Sequence, residues 1–302
     1  MVAALALVAP PAAAQEAEPT LEVRWAPGAP LEGSLVSIVL VPRAPGWVVA
    51  AAGSLSGEPL HFEPLRDGSF RALGPVPLGR ADSLWVAIHV HDFRGVPDSL
   101  AAWISVAARR VRSERIRPGA QYTRPPDAAL ARRIAREREL VRVLWERTHE
   151  RPRLWCGPFV RPRNSRITSP FGTRRVIVGG TGGGSRHWGV DLDGVTGAPV
   201  RAANRGVVAL TGDFFYSGNT IYVDHGAGIV TGYLHLSRIL VAVGDTVDAG
   251  QLIGRVGATG RVTGPHLHWL AHYGGISIDP LGLTEVAPFE PPADTPDSPS
   301  RP

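Results

Sequence analysis

The chain has 302 residues, enough for two modest domains with connecting segments. Its 32 basic side chains are all arginine, against 27 acidic ones, for a net charge of +5 and a pI near 10.1. The arginines are dispersed and not interleaved with aromatics, which argues against a nucleic-acid partner, and the single cysteine excludes an intrachain disulfide.

The first 14 residues predict a signal peptide: the apolar run Met1 to Pro10 is followed by Ala12-Ala13-Ala14, a small-residue pattern that signal peptidases cut after. The run is too short to span a bilayer. The expectation is an exported protein, of the periplasm and cell envelope or secreted, with no transmembrane anchor.

From 20 to 108 the chain reads as short strands between Pro, Gly and Asp turns, which predicts an immunoglobulin-like β-sandwich. In the segment Ser83 to His91, alternation places Leu84, Val86, Ile88 and Val90 on one face and the pair His89 and His91 on the solvent face. Residues 125–150 predict a connecting helix. Asp127 is placed to cap it, Leu130, Ile134, Val141 and Leu144 form its apolar stripe, and Pro152 stops it.

Strand patterns and glycine turns return over 155–284, and 287–302 is Pro-, Asp-, Ser- and Glu-rich and expected to be disordered. Cys156, with Leu154, Trp155 and Phe159 around it, is expected to be a buried thiol. Gly179–Gly184 is followed by no lysine and no helix, which sets aside a phosphate loop in favour of a mobile rim loop.

The chemistry concentrates in His187-Trp188-Gly189-Val190-Asp191 and His266-Leu267-His268. Both segments read as strands, on which side chains two apart share a face. A helix would send the two histidines of His-x-His to opposite sides. His187, Asp191 and His268 are the predicted ligands: three nitrogen or oxygen donors with one position open, the pattern of a catalytic rather than structural zinc. His235 and His266 then stand nearby without a metal to bind, and a pair of imidazoles can divide proton acceptance from donation to an oxyanion. There is no His-Glu-x-x-His helix and no Gly-x-Ser-x-Gly elbow. His149 and His272 are further candidates, and His225 is read as structural.

Across residues 165–282 the chain resembles the lysostaphin-type (LytM-type) zinc endopeptidases. The resemblance is carried by Ser169-Pro170-Phe171-Gly172-x-Arg174-Arg175, His187-x-Gly189-x-Asp191, Gly197-x-Pro199-Val200-x-Ala202, Gly218-Asn219 and Asp224-His225-Gly226. It continues through Tyr233-x-His235-Leu236-Ser237, Gly244-Asp245-x-Val247-x-x-Gly250-Gln251 and Thr263-Gly264-Pro265-His266-Leu267-His268. It implies a mainly β protein whose C-terminal antiparallel sheet (LytM-like, of duplicated-hybrid-motif type) forms a groove with Zn2+ at its floor. The implied activity is hydrolysis of peptidoglycan, acting on peptide stems and cross-bridges. His187, Asp191 and His268 match the family's ligands, and His235 and His266 its catalytic histidines. The segment Val176-Ile177-Val178 ahead of the glycines lacks an Asn that similar members often carry. Trp188 and Phe214-Phe215-Tyr216 are candidate groove walls. Two alternatives stay open: a non-catalytic wall-binding or amidase-activating module, and a secreted protease with other substrates.

Overall fold

The computed structural model describes residues 21–79, 82–178 and 185–289. The expected signal peptide, the glycine run 179–184 and the tail from 290 onward lie outside them.

The N-terminal part alternates inward and outward residues along short strands. These are β1 (Leu21–Ala26), β2 (Leu35–Pro42), β3 (Val48–Leu55), β4 (Glu58–His61), β5 (Glu63–Pro64), β6 (Phe70–Pro75), β7 (Ser83–Asp92) and β8 (Pro97–Ser105). They form two four-stranded antiparallel sheets, ordered β1-β2-β6-β5 and β4-β3-β7-β8. Val36, Ile38 and Leu40 of one sheet and Val86, Ile88 and Val90 of the other share a single core. His89 and His91 face outward and are exposed, as the alternation requires.

A ninth strand, β9 (Ser113–Ile116), leads to α1 (Ala128–Arg147). The Asp127 carboxylate accepts from the Leu130 amide at 2.8 Å, capping the helix as expected. Val141, Leu144 and Trp145 of α1 pack onto Tyr222, Val230, Leu234 and Leu270.

The remaining strands are β10 (Ile167–Ser169), β11 (Arg174–Ile177), β12 (Ser185–Arg186), β13 (Val190–Asp193), β14 (Pro199–Arg201), β15 (Gly206–Phe214), β16 (Gly218–Gly226), β17 (Ile229–Ile239), β18 (Thr246–Val247), β19 (Leu252–Val256), β20 (His266–Tyr273) and β21 (Ile276–Ile278). Their main sheet runs β10-β13-β20-β17-β16-β15-β18, and β12-β11-β9 make a small separate sheet. Along β20, Leu267, Trp269, Ala271 and Tyr273 enter the main core. The opposite phase carries His266, His268, Leu270 and His272, so histidines and helix-covered residues share one face of one strand. Among the described residues no helix is long and apolar enough to cross a membrane.

Three expectations need correction. Cys156 is exposed, because Trp155 and Phe159 take the core positions of that irregular segment and leave the thiol outside. Residues 287–289, expected to begin the tail, are held: Phe289 is buried in the main core and its amide donates to the Cys156 carbonyl at 2.7 Å. His187 to Asp191 is not one strand, since His187, Trp188 and Gly189 lie between β12 and β13.

Candidate metal centre

Pairing of β13 with β20 sets Asp191 directly opposite His268, and Asp193 opposite His266. The chain before β13 then folds His187 back over the same spot. Gly189 makes this possible, because a Cβ there would lie 2.5 Å from the Trp269 carbonyl oxygen and 2.8 Å from His268 Nε2. The glycine of His187-x-Gly189-x-Asp191 is therefore a space requirement for the His268 ring.

The donor atoms converge. His187 Nε2 lies 2.8 Å from His268 Nδ1 and 3.0 Å from Asp191 Oδ1, and His268 Nδ1 lies 2.9 Å from the same oxygen. All three side chains are buried. The Pro170 carbonyl, which can only accept, sits 3.1 Å from His187 Nδ1, so the proton of that ring is on Nδ1 and Nε2 presents a lone pair. At least two acceptors, a lone pair and a carboxylate oxygen, thus face each other at 3.0 Å with at most one His268 proton to serve both. A divalent cation resolves that conflict, and two imidazoles with one carboxylate are a zinc donor set. Burial on its own would raise the Asp191 carboxyl, but the adjoining His187 and His268 imidazoles outweigh it and hold it well below the carboxylate range. Burial pushes the His268 imidazole down to about 4, against the opposing Asp191 hydrogen bond. It is thus neutral at physiological pH, the form in which an imidazole can bind a metal.

His235 reaches this face by an irregularity. Ile221 pairs with Tyr233 but Asn219 pairs with Leu236, one extra residue on β17, which is a β-bulge. Strict alternation would send His235 into the core with Tyr233. Instead it adopts φ 64°, and its ring lies 5.1 Å from that of His266 and 5.9 Å from that of His268. The left-handed conformation costs a non-glycine residue on the order of 1 kcal/mol. Side chains stabilise the bulge: Asn219 Nδ2 and Thr259 Oγ1 both donate to the Leu236 carbonyl, at 3.0 and 2.9 Å. Gly218 admits Thr259, whose backbone carbon would lie 2.4 Å from a Cβ. Burial first, then the neighbouring His268 and His266, push His235 down to about 3.

Two backbone carbonyls orient the remaining pair. His235 Nδ1 donates to Thr259 O and His266 Nδ1 to Gly264 O, each at 2.9 Å, which leaves Nε2 of each ring as the acceptor. His266 Nε2 lies 3.5 Å from Asp191 Oδ1. The five residues singled out in the sequence therefore meet in one place.

The other candidates do not join them. His149 bonds His61 and Glu58, and His272 stacks on Trp145 at 3.9 Å. His225 is fully buried, with Nδ1 on the Arg205 carbonyl and Nε2 on Thr231. Trp188 is exposed, Phe214 is buried, and Phe215 and Tyr216 are half-buried beside Tyr122. Sequence reasoning missed Asn219 and Thr259 as the bulge's supports, and it missed Arg175. Arg175 donates to Asp191 Oδ2, and its place in the Ser169 to Arg175 motif was the available signal.

The pattern of peptidase family M23 matches residues 185–280, which contain all five of these residues. Over 84% of its length the chain superposes on 95% of a crystal structure from Pseudomonas aeruginosa assigned to peptidase M23, with a TM-score of 0.64 and 26% identity. The chain carries a peptidase family M23 domain. Its M23 region is 43% identical over 115 residues to the peptidoglycan DD-endopeptidase ShyC of Vibrio cholerae, covering 38% of this chain and 26% of that relative. It is 40% identical over 124 residues to the DD-carboxypeptidase/endopeptidase Mpg of Neisseria meningitidis, covering 41% of this chain and 28% of that relative. The chain thus spans about a quarter of the length of the curated relatives it matches.

Proposed function

We propose that this M23 chain is a zinc-dependent endopeptidase that hydrolyses peptide cross-links of peptidoglycan, and that it works outside the cytoplasm after export. His187, Asp191 and His268 hold the metal, and His235 and His266 handle protons. The observation that carries this reading is the convergence of His187 Nε2, His268 Nδ1 and Asp191 Oδ1 beside two further imidazoles whose Nε2 atoms are left as acceptors.

Bound zinc supplies a water acidified to a pKa of about 7 and a Lewis acid for the carbonyl. The protein's own groups do the rest. One of the two Nε2 atoms accepts the proton of the attacking water and returns it to the departing amine. The other can donate from Nε2 to the oxyanion only in its imidazolium form, because its Nδ1 proton is held by a backbone carbonyl. The Thr259 and Gly264 carbonyls hold both rings with Nε2 turned to the site as a proton acceptor. Exposed Trp188 forms one wall of the groove.

The names of the relatives make a D,D cross-link the substrate to try first. The test is digestion of purified sacculi by the zinc-loaded protein, with chromatography of the released fragments. Loss of cross-linked dimers with matching gain of monomers supports the proposal. Intact cross-links alongside cleavage of an unrelated peptide would replace murein with another substrate.

A further inference from the structure

The M23 match begins at residue 185, yet the metal centre is tied to a residue far ahead of it. Strand β9, in the segment between the sandwich and α1, pairs in parallel with β11, and the register sets Glu114 beside Arg175. Arg175 Nε donates to Glu114 Oε1 at 2.6 Å. Its Nη2 donates to Ser169 Oγ at 3.0 Å and to Asp191 Oδ2. Ser169 Oγ in turn donates to Glu114 Oε1 at 3.0 Å and lies 3.2 Å from His187 Nδ1. Asp191 therefore turns Oδ1 to the histidines while Oδ2 is pinned by a guanidinium, and that guanidinium is pinned by Glu114.

We infer that Arg175 and Glu114 are positioning residues for the metal, so that the segment preceding the helix completes the M23 site. The inference rests on His187, Asp191 and His268 being the ligands. Two physical effects act together. A guanidinium hydrogen bond to Oδ2 restricts the rotation of the Asp191 carboxylate, so less order has to be imposed when a cation binds. A guanidinium beside a cation also repels it, and the Glu114 carboxylate offsets that charge. Losing Glu114 removes both benefits and leaves the repulsion. Glu114 side-chain exposure of 32% keeps the variant foldable, while Asp191 at 9% is the group that feels the change.

The experiment is a zinc competition titration against a chromophoric chelator on the full chain, with thermal melting of the metal-free protein alongside. Glu114→Ala is compared with Glu63→Ala, which breaks a different ion pair, that with the buried Arg153. Glu114→Ala should weaken zinc by about 10- to 100-fold, and Glu63→Ala should lower the melting temperature with zinc affinity unchanged. Glu114→Gln keeps the shape and an acceptor oxygen and should fall between wild type and Glu114→Ala. Adding Arg175→Ala to Glu114→Ala should cost less than the sum of the single losses, because the two act in series. Zinc affinity in both Glu114 variants within about twofold of wild type, well below the effect expected of such outer partners, would overturn the inference. A wild-type chain that binds no zinc would overturn the ligand assignment, and this inference with it.

Discussion

Two clusters of histidine and carboxylate in this molecule have similar composition and opposite character. In one, Glu58, His149 and His61 run head to tail: His149 Nε2 lies 2.9 Å from Glu58 Oε2, and His149 Nδ1 lies 2.8 Å from His61 Nε2. One proton on each ring satisfies that row, and the rings stack at 5.1 Å. In the other, His187, Asp191 and His268 aim at one point, and protons cannot satisfy them all. Convergence, and not the count of imidazoles, separates a metal centre from an internal hydrogen-bond chain. The chained cluster joins the sandwich to the M23 region, where Tyr273 also donates to the Pro59 carbonyl at 2.8 Å. The convergent one lies at the N-terminal end of β20, where His266 and His268 sit.

The comparison can be broken at either cluster. The largest effect is expected for His268→Ala, which removes one of the three proposed ligands: zinc should be lost and cleavage of cross-linked muropeptides should fall to background, as metal analysis and product chromatography would record. His266→Ala comes next. It should lower turnover by about 10²- to 10⁴-fold with zinc content close to wild type, because His266 lies beside the donors and is not one of them. If His266→Ala strips the metal, ligand and proton-transfer roles have been divided wrongly.

A third prediction concerns pH. Burial pushes His225 down to about 4 from an ordinary 6.5, with the Arg205 carbonyl opposing weakly. The unfolded chain therefore takes up the proton first. The stability associated with neutral His225 is full above pH 6.5 and drains as the pH falls toward 4. Denaturant unfolding of the metal-free protein should show a loss of about 3 kcal/mol from this residue across that window, with a flatter profile in His225→Gln. A flat wild-type profile would mean the ring is not buried neutral. The smallest effect is expected for Glu58→Ala in the chained cluster: a loss of roughly 1–3 kcal/mol for a hydrogen bond to a charged group and no change in zinc content. Loss of zinc there would erase the distinction between the clusters.

Much of this was legible in the sequence, for identifiable reasons. The period-2 pattern of Leu84 to His91 and the cap and stripe of α1 are local, and local patterns survive folding. His266 and His268 share a face because β20 is regular. His235 could not be placed by alternation, since a bulge inverts its phase and only the ordered motifs put it in the site. His187 and Asp191 read as one strand, but a turn at Gly189 brings them together. Glu114 carried no signal at all: one glutamate in an arginine-rich connecting segment gains meaning only when β9 pairs with β11. Cys156 was misread because apolar neighbours in sequence were taken for neighbours in space.

The central claim is that three converging donors hold one zinc. The most direct test is metal content per chain in the purified protein, wild type beside His268→Ala and His149→Ala. One zinc is expected in wild type and in His149→Ala, and none in His268→Ala. Zinc retained in His268→Ala, or absent from a wild-type chain supplied with metal, would contradict it.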